Sequence, residues 1–370
     1  MSRAGADLRN VVVAAAMAWL AASGPALAKA PQGCEFNDSH FHLTNYVQEG
    51  PSAAEHLKLI GDRVCRSTLF GIPLQQTWNY HETGDFAPTY YLEADAPLYY
   101  YSFVDAMIAK QYLALPPADR ARFDPMITGF NPADMYAADH VRRVLTLYPG
   151  VFSGVGEFSV HKEFVSPKIA GGGATLSNPA LDRLLDFAGQ VGLVVILHND
   201  IVRPFTKAAK VQPYFDQLTA LYARHPNTTI IWAHVGLGRV VQPVQGHAAY
   251  LERILANPAM GNIYFDLSWD ELAKYIVASD ESLTVAANLI NKYPDRFLFG
   301  TDVVAPRQPA QYFGVYEMYA PLWARLTPET REKVLKSNYV RLFDEGRRRV
   351  RAWEQANVPA AAAAEPAAKR

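Results

Sequence analysis

The chain has 370 residues, half of them apolar, and its 35 Lys plus Arg offset 36 Asp plus Glu to a formal net charge of −1. That length suits one large barrel or two ordinary domains. With no basic patch and no run of arginine and aromatic residues, the composition argues against a nucleic-acid partner.

Residues 1–30 read as a secretory signal. Arg3 and Arg9 give a positive start, and Val11 to Ala22 form an apolar run too short to span a bilayer comfortably. Ala26-Leu27-Ala28 and Ala28-Lys29-Ala30 both fit a small-x-small cleavage pattern, so cleavage falls after about residue 28 or 30. An uncleaved membrane anchor is the competing reading. The expectation is a periplasmic or secreted protein with no stable membrane anchor once the signal is gone. Pro31-Gln32-Gly33 lacks the aliphatic residue that a lipid anchor on Cys34 would need. The two cysteines, Cys34 and Cys65, either pair in an oxidising compartment or stand as separate buried thiols. A zinc site on them is disfavoured, because there is no Cys-x-x-Cys spacing.

The first strand is expected over Glu35 to Leu43 and carries Asp38-Ser39-His40-Phe41-His42. Side chains two apart on a strand share a face, so His40 and His42 can reach one divalent cation while Phe41 turns into the packing. Further strands are expected at Arg63 to Ile72, Asp124 to Phe130, Val151 to Phe158, Leu193 to His198, Thr229 to His234, Asn262 to Ser268 and Arg296 to Thr301. Helical patterns separate them. Over Pro179 to Val191, Asn178 is a candidate N-cap, Pro179 fits the first turn, Leu181, Leu184, Leu185 and Ala188 make one apolar face, and Gly192 stops the helix.

Eight strands alternating with helices predict a (β/α)8 TIM barrel. An open doubly wound sheet would want a phosphate-binding loop, and Gly171-Gly172-Gly173 has neither the spacing nor the helix start for one; it reads as a flexible connection. The stretch Pro73 to Leu115 is a long aromatic-rich insertion after strand 2, with Trp78, Tyr80, Tyr90, Tyr91, Tyr99, Tyr100, Tyr101 and Phe103. It is expected at the catalytic mouth, packed by its own aromatics. The barrel domain is expected over 31–345, and 346–370 as a helix end followed by a disordered Ala-rich tail.

Ionisable residues recur at the C-terminal ends of the expected strands, where barrel active sites form. These are His40 and His42 on strand 1, Glu157 on strand 4, His198 on strand 5, His234 on strand 6 and Asp302 after strand 8. From Glu157 onward their spacings are 41, 36 and 68 residues, or one, one and two βα repeats. Imidazoles with carboxylates suit zinc first, with Mn, Fe or Co as alternatives. The ligands are too many for one closed tetrahedron. Either two ions bind, or some residues do acid–base work, with Asp302 accepting a proton from a water whose pKa the cation lowers.

As a set, Asp38-Ser39-His40-Phe41-His42, Gly156-Glu157-Phe158, Leu197-His198-Asn199, Ala233-His234-Val235-Gly236 and Gly300-Thr301-Asp302 resemble the amidohydrolase superfamily, and most closely its amidohydrolase-related (amidohydrolase 2) branch. The likeness spans about Asn37 to Phe343, and Ser337 to Phe343 resembles the helix that closes that family's barrel. The resemblance implies that His40, His42 and Asp302 hold a first metal. His198 and His234 would hold a second, or His198 would join the first while His234 polarises the substrate. Glu157 would bridge two ions in the place where many relatives have a carboxylated lysine. Lys162 stands too far past the strand end to be that lysine.

The implied activity is hydrolysis of a small amide, ester or lactone by metal-activated hydroxide. A metal-dependent decarboxylase or hydratase of the same fold is the alternative, and an inactive binding protein is a third reading. Arg203, Arg239 and Trp269 are candidate substrate contacts, and the arginines suit an anionic small molecule. Arg239 equally fits a salt bridge at a helix start. His161 and Asp270 are lesser candidates, while His56, His81, His140, His225 and His247 read as surface or packing residues. The residues are silent on oligomeric state; dimers are common for this fold, so a homodimer is an option by analogy alone.

Overall fold

The computed structural model describes residues 31–45, 47–72, 77–78, 92–93, 103–162, 175–206 and 214–359. The expected signal at 1–30, most of the aromatic insertion, His81, the glycine triplet and the tail from 360 lie outside those residues. No helix among the described residues is long and apolar enough to cross a membrane.

Eight parallel strands form the barrel in chain order: β1 Phe36–Asp38, β2 Val64–Leu69, β3 Phe123–Ile127, β4 Gly154–Ser159, β5 Val194–His198, β6 Ile230–Trp232, β7 Ile263–Leu267 and β8 Phe297–Phe299. Each falls inside or against an expected strand. The ring closes where the Ser39 N–H and hydroxyl donate to Phe299 O at 3.0 and 2.9 Å. A two-residue pair, Phe41–His42 with Val303–Val304, continues that seam upward.

The strands are shorter than expected, for local reasons. The run from Glu35 to Leu43 breaks after Asp38, whose carboxylate takes the His40 N–H at 3.0 Å and turns the chain. The run ending at His234 stops at Trp232, because His234 and Val235 adopt left-handed conformations, φ 52° and 49°. Of the insertion, two short strands, Thr77–Trp78 and Leu92–Glu93, pair with each other, and a helix follows at Val104–Ala114.

Alternation along the strands sorts the core into two layers. Val194 and Ile196 of β5 point into the lumen with Met126, Ile231 and Leu298, whereas Val195 and Leu197 face the surrounding helices. The helix Pro179–Val191 behaves as its sequence dictates. The Asn178 side chain accepts from the Ala180 N–H, Gly192 takes φ 90°, and the expected apolar face is buried.

The helix Asn338–Asn357 stoppers the lower end of the barrel with Tyr339, Leu342 and Phe343. Beneath them the buried Asp124 of β3 takes the Arg66 guanidinium at 2.7 Å, Arg347 at 2.6 Å and the Tyr339 hydroxyl at 2.8 Å. Cys34 and Cys65 are joined by a disulfide that ties the lead-in of β1 to β2. Its sequence separation of 31 residues corresponds to a stabilisation of about 3–4 kcal/mol in the chain-entropy picture.

Candidate metal centre

At the upper rim the strand ends bring six expected residues together. His40 and His42, carried just past β1, have ring centroids 5.3 Å apart, and His234 lies 4.9 Å from both His40 and His198. Phe41 packs away from them, stacked on His56 at 3.8 Å, which makes His56 a packing residue as expected. Asp302 Oδ1 stands 2.9 Å from His42 Nε2 and 3.3 Å from His40 Nε2, with Oδ2 3.7 Å from His234 Nε2. Glu157 completes the ring, Oε2 at 3.6 Å from His42 Nε2 and Oε1 at 3.5 Å from His234 Nε2.

These distances test whether a cation fits. Donor atoms held at about 2.0–2.2 Å by one ion stand roughly 3–3.5 Å from one another. The Nε2 atoms of His40, His42 and His234 lie at or close to that spacing from the Asp302 oxygens. The Nε2 atoms of His40 and His234 are also buried with no hydrogen-bond partner among the described residues. Buried polar atoms are rarely left so, and a cation would satisfy them. The donor set of imidazoles and carboxylates therefore fits a divalent ion.

A residue missed from the sequence explains the orientation of two rings. Asp266, in the middle of an apolar strand, is fully buried. Its Oδ2 faces His40 Nδ1 at 2.9 Å, and its Oδ1 takes the His234 backbone N–H at 2.8 Å and the Ser268 hydroxyl at 2.5 Å. Because Ser268 donates to Asp266, it accepts from His234 Nδ1 at 2.8 Å. With a cation bound, both imidazoles would keep a proton on Nδ1 and turn the Nε2 lone pair to the centre, the usual work of a hydrogen-bond acceptor behind a metal-binding histidine. The signal was a lone carboxylate among Ile263, Tyr264, Phe265 and Leu267, one strand that the recurring pattern skips. Asp266→Ala is expected to weaken divalent-ion affinity by about 10–100-fold. Competition with a chromogenic chelator checks this, and unchanged affinity would remove Asp266 from the arrangement.

Asp38 plays the matching part on the seam. It takes the His40 and Thr301 N–H groups at 3.0 and 2.8 Å, and the Thr301 and Tyr312 hydroxyls at 2.6 Å each. Burial pushes its carboxyl up to about 6, against those four donors. Asp302 follows directly with φ 52°, its N–H held by His40 O at 2.7 Å. Trp269 at φ 80° and His234 at φ 52° are likewise strained, which concentrates sparsely populated backbone at this rim. Gly300 permits the approach of β8: a Cβ there would stand 2.6 Å from His40 Cβ.

Electrostatically the centre is crowded with carboxylates. Burial alone would raise the Asp302 carboxyl, but the imidazoles of His40, His234 and His42 hold it far below the usual range. Burial would likewise lower His40, yet the carboxylates of Asp302 and Asp266 carry it well above the ordinary imidazole value. Burial prevails at His42, which is lowered. A cation binding here would displace those protons.

Glu157 and His198 face each other beside the centre and, with His234, bring donor atoms within 4.8 Å of one another. His198 turns Nδ1 to Glu157 Oε1 at 2.7 Å and Nε2 to Asp200 Oδ1 at 2.9 Å. Lys162, in the turn just after β4, reaches back to place its Nζ 3.1 Å from both Glu157 oxygens. Burial by itself would raise the Glu157 carboxyl; Lys162 and the surrounding histidines hold it well below the carboxylate range.

Among the outer candidates, Trp269 packs on His234 at 5.0 Å, and the Arg239 guanidinium lies 5.9 Å over the Trp269 ring. Arg239 Nε also bonds Glu271 at 3.2 Å, the ion pair at a helix start that its sequence position allowed. Arg203 is exposed. His161 stacks on Tyr214 at 4.1 Å, and Asp270 pairs with Lys274 at 3.1 Å. His225 bridges Asp182 and Asp186, away from the rim.

An eight-stranded barrel with imidazoles and carboxylates gathered at its upper rim defines a metal-dependent hydrolase of the TIM-barrel class. A family model described as amidohydrolase matches residues 38–344, and the chain belongs to that family. No curated protein matches the sequence. Among solved structures, the chain is similar to a Pseudomonas putida protein provisionally designated a 2-pyrone-4,6-dicarboxylic acid hydrolase, at 14% identity and TM-score 0.50, covering 84% of this chain and 98% of that one. It is also similar to the L-hydantoinase of Arthrobacter aurescens, at 12% identity and TM-score 0.51, covering 84% and 71%. An uncharacterised TIM-barrel protein from Bordetella bronchiseptica aligns at 16% identity and TM-score 0.50, covering 84% and 99%. At these identities the likeness is one of fold.

Proposed function

We propose that this protein hydrolyses a small amide, ester or lactone using one divalent cation, zinc in the first place, held by His40, His42, His234 and Asp302. The observation that carries the reading is the pair of buried Nε2 atoms on His40 and His234, which have no hydrogen-bond partner among the described residues and face the Asp302 carboxylate. When bound, such a cation supplies Lewis acidity and brings the pKa of a water toward neutrality. Asp302, kept ionised by its histidine neighbours, accepts a proton from the attacking water. The proton then passes from Asp302 to the leaving group as the scissile bond breaks, while His234, held through Nδ1 by Ser268, stays fixed beside it. The Trp269 ring against His234 helps to exclude bulk water from the proton's path.

Arg203 and Arg239 stand outside this centre, and their charge favours an anionic substrate. Export to a periplasmic or extracellular compartment agrees with the signal-like start and with the Cys34–Cys65 disulfide.

The test is a panel of lactones, cyclic amides and simple esters, with and without carboxylates, assayed on the metal-stripped and reconstituted chain. Turnover should vanish on chelation and return with Zn2+, Mn2+ or Co2+. Hydrolysis that survives complete metal removal, or loss of carbon dioxide without hydrolysis, would overturn the proposal.

A further inference from the structure

Two features beside the centre have no part in the chemistry above: a buried lysine inside a metal-ligand ring, and a histidine with both nitrogens engaged by carboxylates. Lys162 and Glu157 are 6% and 4% exposed, so neither charge is dissolved in solvent. The Nζ stands 3.1 Å from each carboxylate oxygen, a symmetric seat that an ammonium takes when it serves as the carboxylate's counterion. On its other side Glu157 faces the Nε2 atoms of His42 and His40, at 3.6 and 3.9 Å. The carboxylate thus lies between the main centre and the ammonium, as a bridging carboxylate lies between two cations.

Glu157, His198 and His234 form a group whose donor atoms all come within 4.8 Å of one another, which is where a second ion would sit. His198, however, is fixed at 2.7 Å to Glu157 and 2.9 Å to Asp200, so both of its ring nitrogens already have a carboxylate partner.

We infer that Lys162 is a built-in cation that takes the place of a second divalent ion, so that this barrel holds one metal and a fixed ammonium across the Glu157 bridge. The inference rests on the metal reading of His40, His42, His234 and Asp302. The ammonium neutralises Glu157 and repels a second divalent ion, since two ions sharing a carboxylate would stand about 3.5–4 Å apart. A single charge of fixed position replaces a doubly charged ion whose occupancy would follow its free concentration.

The experiment counts metal. The full-length chain is stripped with a chelator, loaded with excess Zn2+, desalted and analysed for bound metal and for its melting temperature. Wild type is expected to hold one equivalent. Lys162→Met, which keeps the length of the side chain without its charge, is expected to hold two, with the second raising its melting temperature. Lys162→Arg is expected to stay at one. Lys162→Gln serves the same purpose as the methionine variant should that one fail to fold. One equivalent in both neutral variants, or two in wild type, overturns the inference and leaves the metal reading standing. No bound zinc in wild type overturns both.

Discussion

Asp302→Asn is expected to lower turnover by roughly 10²–10⁴-fold while the far-ultraviolet circular dichroism, and the melting temperature of the metal-stripped chain, stay close to wild type. The amide has the shape of the carboxylate, and the features that set the backbone of residue 302 do not involve its side chain. Its N–H remains held by His40 O at 2.7 Å, and the neighbouring Thr301 remains held by Asp38. What disappears is negative charge in the middle of the histidines. A neutral amide in that place can neither take a proton from water nor balance a cation, so affinity for Zn2+ should fall together with turnover. The pair of measurements is decisive. Turnover within tenfold of wild type would remove Asp302 from the chemistry, and global loss of ellipticity would make its role structural.

The second large effect lies at the opposite end of the barrel and concerns stability. Asp124→Ala is expected to cost about 3 kcal/mol, because it takes the buried shared counterion from the half-buried guanidinium groups of Arg66 and Arg347, leaving Arg66 only Asp344. For a domain of this size that corresponds to a fall in melting temperature of roughly 10 °C. The effect carries a pH signature. Burial would raise the Asp124 carboxyl, but Arg347 and Arg66 bring it down to about 2 from the ordinary 3.8. A carboxyl depressed on folding binds fewer protons in the native chain than in the unfolded one. Its contribution is therefore complete above about pH 4 and is lost as the pH falls toward 2, amounting to about 2 kcal/mol. Urea denaturation of wild type and variant at pH 6 and pH 3 should show their stabilities converging at the lower pH. A difference below 1 kcal/mol at pH 6, or parallel acid limbs, would contradict this account.

The barrel is readable in the sequence because each strand keeps its alternation or its apolar run, and because turn chemistry marks the helix ends. Asn178 and Gly192 bound their helix as their side chains require. Strand ends are less legible, since the features that cut them short are tertiary. The break after Asp38 follows from a carboxylate shared with Thr301, 263 residues away, and the left-handed turn at His234 is held by Asp266. Among the site residues, those at recurring strand ends can be found by their spacing. Asp266 cannot be placed by that rule, because it sits inside its strand and acts through other residues. Lys162 escapes it too, because distance along a chain is not distance in space. The turn after β4 carries its long side chain back over five residues. Substrate choice has no legible pattern, as the residues expected to set it fall largely in the aromatic insertion.

The seam between β1 and β8 also governs when the centre can exist. His40 and His42 belong to the first strand and Asp302 follows the last, and they meet only once Ser39 has joined Phe299 and Asp38 has joined Thr301. Contacts of such long sequence separation form late, after much loop-closure entropy has been lost. The nascent chain therefore carries the His40–His42 pair without the carboxylate that completes it while the other strands are pairing. Loading of the full ligand set becomes a report on completed topology.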